Sequence, residues 1–158
     1  MTETVNTGID KESMSKVADG LAGILADEYT LYLKTHNYHW NVTGPMFGSL
    51  HLLFETQYNE LALAVDVIAE RIRALGKFVP ATFGQYSKMS EVKESEEIPS
   101  ADKMIAELLD AREICAKEAR KVIEAAEKAD DQATADLLTA RVAEHEKAAW
   151  MLRSHLEK

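Results

Sequence analysis

The stretch HNYHWNVTGPMFGSLHLLFE, residues 36–55, holds three of the five histidines in the chain. His39 and His51 stand on either side of a turn at Gly44 and Pro45, and Glu55 follows His51 by four residues. Imidazole and carboxylate together are a ligand set expected for iron or a similar divalent metal. The same two histidines could also be ordinary core residues. Asp66 and Glu70 extend the pattern. On a helix at 100° per residue, with His51 as zero, Glu55 falls at about 40°, Asp66 at about 60° and Glu70 at about 100°. All four share one face, beside the apolar seam. A solvated charged face would give the same stripe, but Asp66 and Glu70 sit among Leu63, Ala64, Val67, Ile68 and Ala69, where the helix offers few other polar groups.

Distance limits what one copy of this helix can do. His51 and Asp66 lie roughly 22 Å apart along the axis at 1.5 Å per residue, too far to hold one ion. The pairs His51/Glu55 and Asp66/Glu70 are symmetric about residues 60 and 61. Two copies of the helix packed antiparallel across a two-fold axis would therefore face each His51/Glu55 with the other chain's Asp66/Glu70. Such an isologous contact makes two identical sites. His39, closing the preceding helix, could approach His51 after the turn. A di-iron site within one four-helix bundle uses Glu-x-x-His on two helices, and that motif occurs nowhere in the chain. A single-chain di-iron oxygenase is disfavoured accordingly.

The elements that must position these residues are helical. Helix formers dominate, only three prolines occur, and runs of β-branched residues bounded by turns are missing. At 158 residues the chain suits one domain with its own core. Residues 1–13 read as a flexible tail. A first helix spans about Met14 to Trp40, with Val17, Leu21, Ile24, Leu31 and Tyr38 as its seam. A second spans about Phe47 to Leu75, with Leu50, Phe54, Leu61, Val65, Ile68, Ile72 and Leu75 inward and Gly76 as cap. Residues 77–100 are too long for a tight link and form a crossover, with a short helix near Phe83 to Ser90. The third helix, about Ala101 to Lys128, has Met104, Leu108, Cys115, Ala119, Val122 and Ala126 inward. The fourth ends near Leu156, with Leu138, Val142, Ala149 and Leu152 inward. The expected fold is all-α: a ferritin-like four-helix bundle made of two hairpins and a long crossover.

Charge and composition narrow the partners. With 27 acidic and 18 basic residues, net charge −9, the surface favours cations and repels nucleic acid unless basic residues cluster. The acidic run EVKESEE reads as solvated surface. One cysteine, Cys115, permits no intrachain disulfide and fits a reducing cytoplasm. The polar N-terminal stretch lacks the apolar region of a secretion signal, and no apolar run reaches the length of a membrane span.

The segment HWNVTGPMFGSLHLLFE, followed by DVIAERIRALG, closely resembles the Dps family, the mini-ferritins known as DNA-binding proteins from starved cells. The resemblance runs from the first helix through DDQATADLL to AAW near the end. It implies a hollow shell of twelve subunits with a ferroxidase site at each two-fold interface. By position, His39 and His51 come from one subunit and Asp66 and Glu70 from the partner. Glu55 stands where many members have Asp, one methylene shorter. The implied chemistry is oxidation of Fe(II), typically by hydrogen peroxide, with ferric mineral stored inside. The metal implied is iron, as a di-iron pair where both positions fill with Glu70 bridging them, and zinc can substitute. Histidines ligate only when neutral, so binding is expected to weaken as pH falls through roughly 6.5, the value of a free imidazole. Trp40 resembles the family's tryptophan beside the site, where radical quenching and simple packing are both open roles.

The remaining polar and aromatic residues have plainer readings beside functional ones. His36 is either a supporting neighbour of the site or a structural residue. His145 lies on the inward seam of the fourth helix and is expected to be a satisfied core or interface histidine. His155 is expected to be exposed, and Trp150 to be core or interface. Asp130, Asp131 and Asp136 either complement the start of the fourth helix electrostatically or, as the resemblance implies, contribute to acidic pores that draw iron inward. DNA binding is doubtful, because neither end of the chain carries the Lys/Arg cluster that releases counterions. The alternative function is a nucleoid DNA-compacting protein with incidental metal binding.

Overall fold

The computed structural model describes residues 4–157 as five helices, with no strand among them. They are α1 (Lys11–Asn41), α2 (Phe47–Ala74), α3 (Phe83–Met89), α4 (Ala101–Lys128) and α5 (Gln132–Ser154). Helix α1 packs along α2, α4 along α5, and α1 also meets α4 and α3. Short turns join the members of each hairpin, and the crossover between α2 and α4 carries α3. This is the ferritin-like arrangement that the seams predict. No described helix is long and apolar enough to cross a membrane.

Local chemistry sets the helix ends. Asp10 accepts from Ser13 N at 3.0 Å, Thr82 from Gln85 N at 3.2 Å, Ser100 from Lys103 N at 3.4 Å, and Asp131 from Thr134 N at 3.0 Å. Each satisfies an otherwise orphaned donor, worth about 1 kcal/mol. Gly44 between α1 and α2 has φ 104°, and Gly76 just past α2 has φ 86°. Both lie in the left-handed region that side chains avoid.

Every predicted seam residue is buried except Val65, which is half-buried. The buried residues form two apolar clusters. One gathers Val17, Leu21 and Leu25 with Ile68, Ile72, Val122 and Leu138. The other gathers Leu31, Tyr38, Leu50, Phe54 and Leu61 with Met104, Leu108 and Leu152.

Asp27 ties the crossover to the bundle. Its Oδ1 accepts from Ser90 Oγ at 2.9 Å and from the Glu91 and Val92 amides at 2.7 and 3.4 Å. That fixes α3 against α1. Burial still leaves the Asp27 carboxyl raised above its ordinary range.

The structure corrects two sequence expectations and narrows a third. The flexible tail does not extend to residue 13: α1 begins at Lys11 because Asp10 caps it, and Val5 and Ile9 pack against the first cluster. Residues 1–3 of that tail lie outside the described residues. The 62% exposure of Trp150 on α5 removes the core from its two expected places and leaves an interface. His155 is half-buried rather than exposed, its Nδ1 donating to the Met151 carbonyl at 2.9 Å as it caps α5.

Candidate metal centre

The Gly44–Pro45 turn brings the end of α1 back against the start of α2, and His39 meets His51 there. The two imidazoles are stacked, with centroids 3.8 Å apart and planes at 17°. His39 Nδ1 donates to the His51 carbonyl at 2.8 Å, and His51 Nδ1 donates to the His39 carbonyl at 2.8 Å. A carbonyl can only accept, so each Nδ1 carries its ring's proton. A neutral imidazole protonated at Nδ1 keeps its lone pair on Nε2. The reciprocal bonds therefore fix both tautomers and orient both rings, the arrangement that metal-ligating histidines require. His39 is buried and His51 half-buried.

Glu55 follows His51 by one turn of α2 and is half-buried. Asp66 and Glu70 are exposed farther along α2, beside Leu63 and Val67, themselves 74% and 51% exposed. The chain thus brings His39 and His51 together and leaves Asp66 and Glu70 roughly 22 Å along the helix from His51. Among the described residues, no group of three or more His, Cys, Asp or Glu side chains could hold a metal ion within one chain. A pair of imidazoles with one adjacent carboxylate fits a divalent metal in donor type but is incomplete as a set of donors.

Aromatic rings surround the pair. The His36 ring lies 3.7 Å from that of Trp40 and 4.2 Å from that of Tyr58, and Tyr58 sits edge-on to His39 at 5.1 Å. Phe47 stacks on His51 at 5.1 Å. Burial, then the charge of a protonated His39, lowers the pKa of His36. His36 is thus a packed neighbour of His39. Trp40 is 60% exposed.

A second polar cluster, which the sequence reading reduced to His145 alone, lies inside the bundle. Glu28, fully buried on α1, accepts from Arg141 Nε at 2.9 Å and pairs with His145 Nε2 at 2.8 Å. Arg141 also binds Glu60, and Arg112, 3.5 Å from Glu60, reaches the Gln57 side chain. Burial alone would raise the Glu28 carboxyl, but His145 and Arg141 outweigh it and hold it down to about 2. His145 is the satisfied core histidine expected. A signal for the rest was present: Glu28 falls on the α1 seam between Ile24 and Leu31, while Arg141 and His145 fall on the α5 seam.

Asp131 serves the bundle. It caps α5, accepts from Thr134 Oγ1 at 2.6 Å and pairs with Arg71 at 2.7 Å. These partners outweigh its burial and hold its carboxyl below the usual range. Asp130 and Asp136 are exposed.

Comparison with known proteins gives a consistent likeness. A family model described as a ferritin-like domain matches residues 18–158. The chain is 40% identical over 134 residues to DNA protection during starvation protein 2 of Bacillus anthracis, covering 85% of this chain and 92% of that one. The crystal structure of a Dps protein from Vibrio cholerae O1, a member of a broad superfamily of ferritin-like diiron-carboxylate proteins, superposes with a TM-score of 0.93. It is 32% identical and covers 99% of both chains. Dps of Mycobacterium smegmatis gives 0.92 at 33% identity, over 100% of this chain and 96% of that one.

Proposed function

The chain belongs to the Dps family of ferritin-like proteins, and on that premise we propose that it is an iron-oxidising and iron-storing mini-ferritin. Its ferroxidase site is shared between subunits of a cytoplasmic homo-oligomer, a shell of twelve. What supports this reading most is the stacked pair of His39 and His51, whose Nδ1 protons are committed to carbonyls and whose Nε2 lone pairs remain for a ligand.

Fe(II) is the substrate, and hydrogen peroxide is the oxidant. His39 and His51 bind the ion as neutral donors held rigidly by their reciprocal bonds. Glu55 adds an oxygen ligand from the same chain. Asp66 and Glu70 complete the site from a second copy, a reading that their exposure at a distance from His51 supports. Carboxylates lower the cost of accumulating positive charge and favour the ferric product. Glu70 is the carboxylate assigned, by resemblance, to bridging a second iron, and zinc is a competing divalent ion. Taking up peroxide and Fe(II) together, with ferric mineral stored inside the shell, protects the cell from oxidative damage. It needs no contact with DNA, which a chain of net charge −9 does not favour.

The test follows from the shared site. His51→Ala and Asp66→Ala should each abolish rapid peroxide-driven Fe(II) oxidation while leaving the oligomer intact by size. Unfolded together and reassembled, mixed dimers carry one whole site of two, so part of the activity should return. No recovery in a confirmed mixed assembly would count against a site between subunits.

A further inference from the structure

A line of aromatic rings runs away from the candidate metal centre. From His39, the Tyr58 ring is 5.1 Å away, Tyr32 lies 6.1 Å beyond it, Tyr29 another 5.8 Å, and Tyr86 a further 5.1 Å, stacked on Tyr29. Four of the chain's five tyrosines belong to this line. The fifth, Tyr38, is buried elsewhere and donates to Glu107. The far end opens on a cavity of about 580 Å³, lined by Tyr29, Phe83, Tyr86 and Lys93 among others. Aromatic pairs pack favourably at such separations, so packing explains any one contact. It does not explain a run of phenols, each oxidisable by one electron, that links the histidines to a cavity open at the surface. Electron transfer weakens exponentially with distance, and every step here is a near contact.

We propose that Tyr58, Tyr32, Tyr29 and Tyr86 form a one-electron relay that carries oxidising equivalents from the metal centre to the cavity, where a small reductant quenches them. The source of those equivalents rests on the proposed iron and peroxide chemistry. When peroxide takes one electron instead of two, it yields hydroxide and a hydroxyl radical. That radical takes an electron and a proton from the Tyr58 phenol, giving water and a tyrosyl radical. Each following phenol gives an electron and a proton to the tyrosyl before it, which returns to phenol. At Tyr86 a soluble one-electron donor such as ascorbate supplies the last electron and proton and leaves as its own radical. The relay protects the imidazoles by moving the damage to a place where it can be repaired.

The test uses the assembled, iron-free protein with a ruthenium photo-oxidant tethered at Trp40→Cys, a position exposed and in ring contact with His36. Cys115 stays unlabelled, because it is buried and its thiol is pushed well up by that burial. After flash oxidation, a tyrosyl radical should form, and Tyr86→Phe should change its EPR spectrum. Ascorbate should shorten its lifetime. Tyr32→Phe, which keeps the ring and removes the phenol, should abolish the Tyr86 contribution and the ascorbate effect. Tyr38→Phe should change neither. A Tyr32→Phe protein with the wild-type spectrum and decay overturns the relay, whatever the protein does with iron. Freeze-quenched samples mixed with Fe(II) and peroxide then test the source. Fe(II) oxidation without any Tyr32-dependent radical would overturn the link to the metal centre. Absence of Fe(II) oxidation would sink the proposed function and leave the flash result to decide the relay.

Discussion

Histidine meets carboxylate in two regions of this chain, with opposite results. At Glu28, Arg141 and His145, every charge has a partner within the bundle. Both nitrogens of His145 are engaged, Nε2 with Glu28 at 2.8 Å and Nδ1 with Arg112 Nη1 at 3.4 Å. At His39 and His51, the hydrogen-bond partners found among the described residues are each other's carbonyls, and Asp66 and Glu70, which would complete the set, lie far along α2. The residue types are alike. What separates a structural cluster from a candidate site is whether the donor atoms are already used within one chain. The first region holds the bundle together; the second makes sense only beside another copy.

Loss of a partner should affect the two regions in opposite ways. His39→Ala should cut Fe(II) binding by more than the roughly 10–100-fold that disturbing an outer partner of a metal ligand costs, with little change in thermal unfolding. Arg141→Ala should do the reverse. It leaves Glu28 buried and short of a cation, a loss of about 3–5 kcal/mol, while iron titration of the folded fraction should match wild type. If Arg141→Ala abolished binding in the folded protein, the separation between the regions would fail.

The Glu28 carboxyl sharpens the contrast through pH. Its ordinary value is 4.5 and its value in the fold about 2. A lowered pKa contributes stability that is complete above the unfolded value and lost as pH falls through the folded one. Wild-type protein should therefore lose stability progressively between about pH 4.5 and 2. Glu28→Gln should be less stable at neutral pH and show a shallower slope across that window in unfolding midpoints. An unchanged slope would mean that Glu28 is not the group titrating there.

The smallest effect is expected at the turn. Gly44→Ala forces a side chain into the left-handed region at φ 104°, a cost of about 1 kcal/mol. Because the turn sets His39 against His51, zinc affinity measured calorimetrically should fall with it. A fall in stability with unchanged affinity would show that the histidine pair is held by its own reciprocal bonds alone.

Most of the fold was legible because helix seams announce themselves at a 3.6-residue period, and because Gly44, Gly76, Ser100 and Asp131 mark ends chemically. His39 and His51 were legible for the same reason: a turn of known place joins two helices of known face. The interior cluster was harder to read. Glu28 and Arg141 occupy seam positions, but a charge there is readable as core only when a matching charge on another helix is known to face it, and pairing across helices is not written in either helix. Trp150 was readable only as core or interface, because a large apolar ring suggests burial in one or the other, and its outward place on α5 excludes the core. The tyrosines at 29 and 32, with His36 and His39, form a stripe at helical spacing on α1 that could have been noticed. Nothing local says that Tyr58 and Tyr86 continue it.

Asp27 divides the crossover into two halves of different character. Up to Val92 the crossover is moored by a single buried carboxylate, and from Lys93 to Pro99 it is held by the bond from Lys34 to the Lys93 carbonyl at 2.9 Å and by the hydrogen bond between Tyr38 and Ser95. A loop moored midway can change length downstream without disturbing what lies upstream. The segment from Glu96 to Ile98, past the Ser95 contact with Tyr38, is thus the place where this lineage could gain or lose residues, or where an engineer could graft a peptide, and the histidine turn would not feel it.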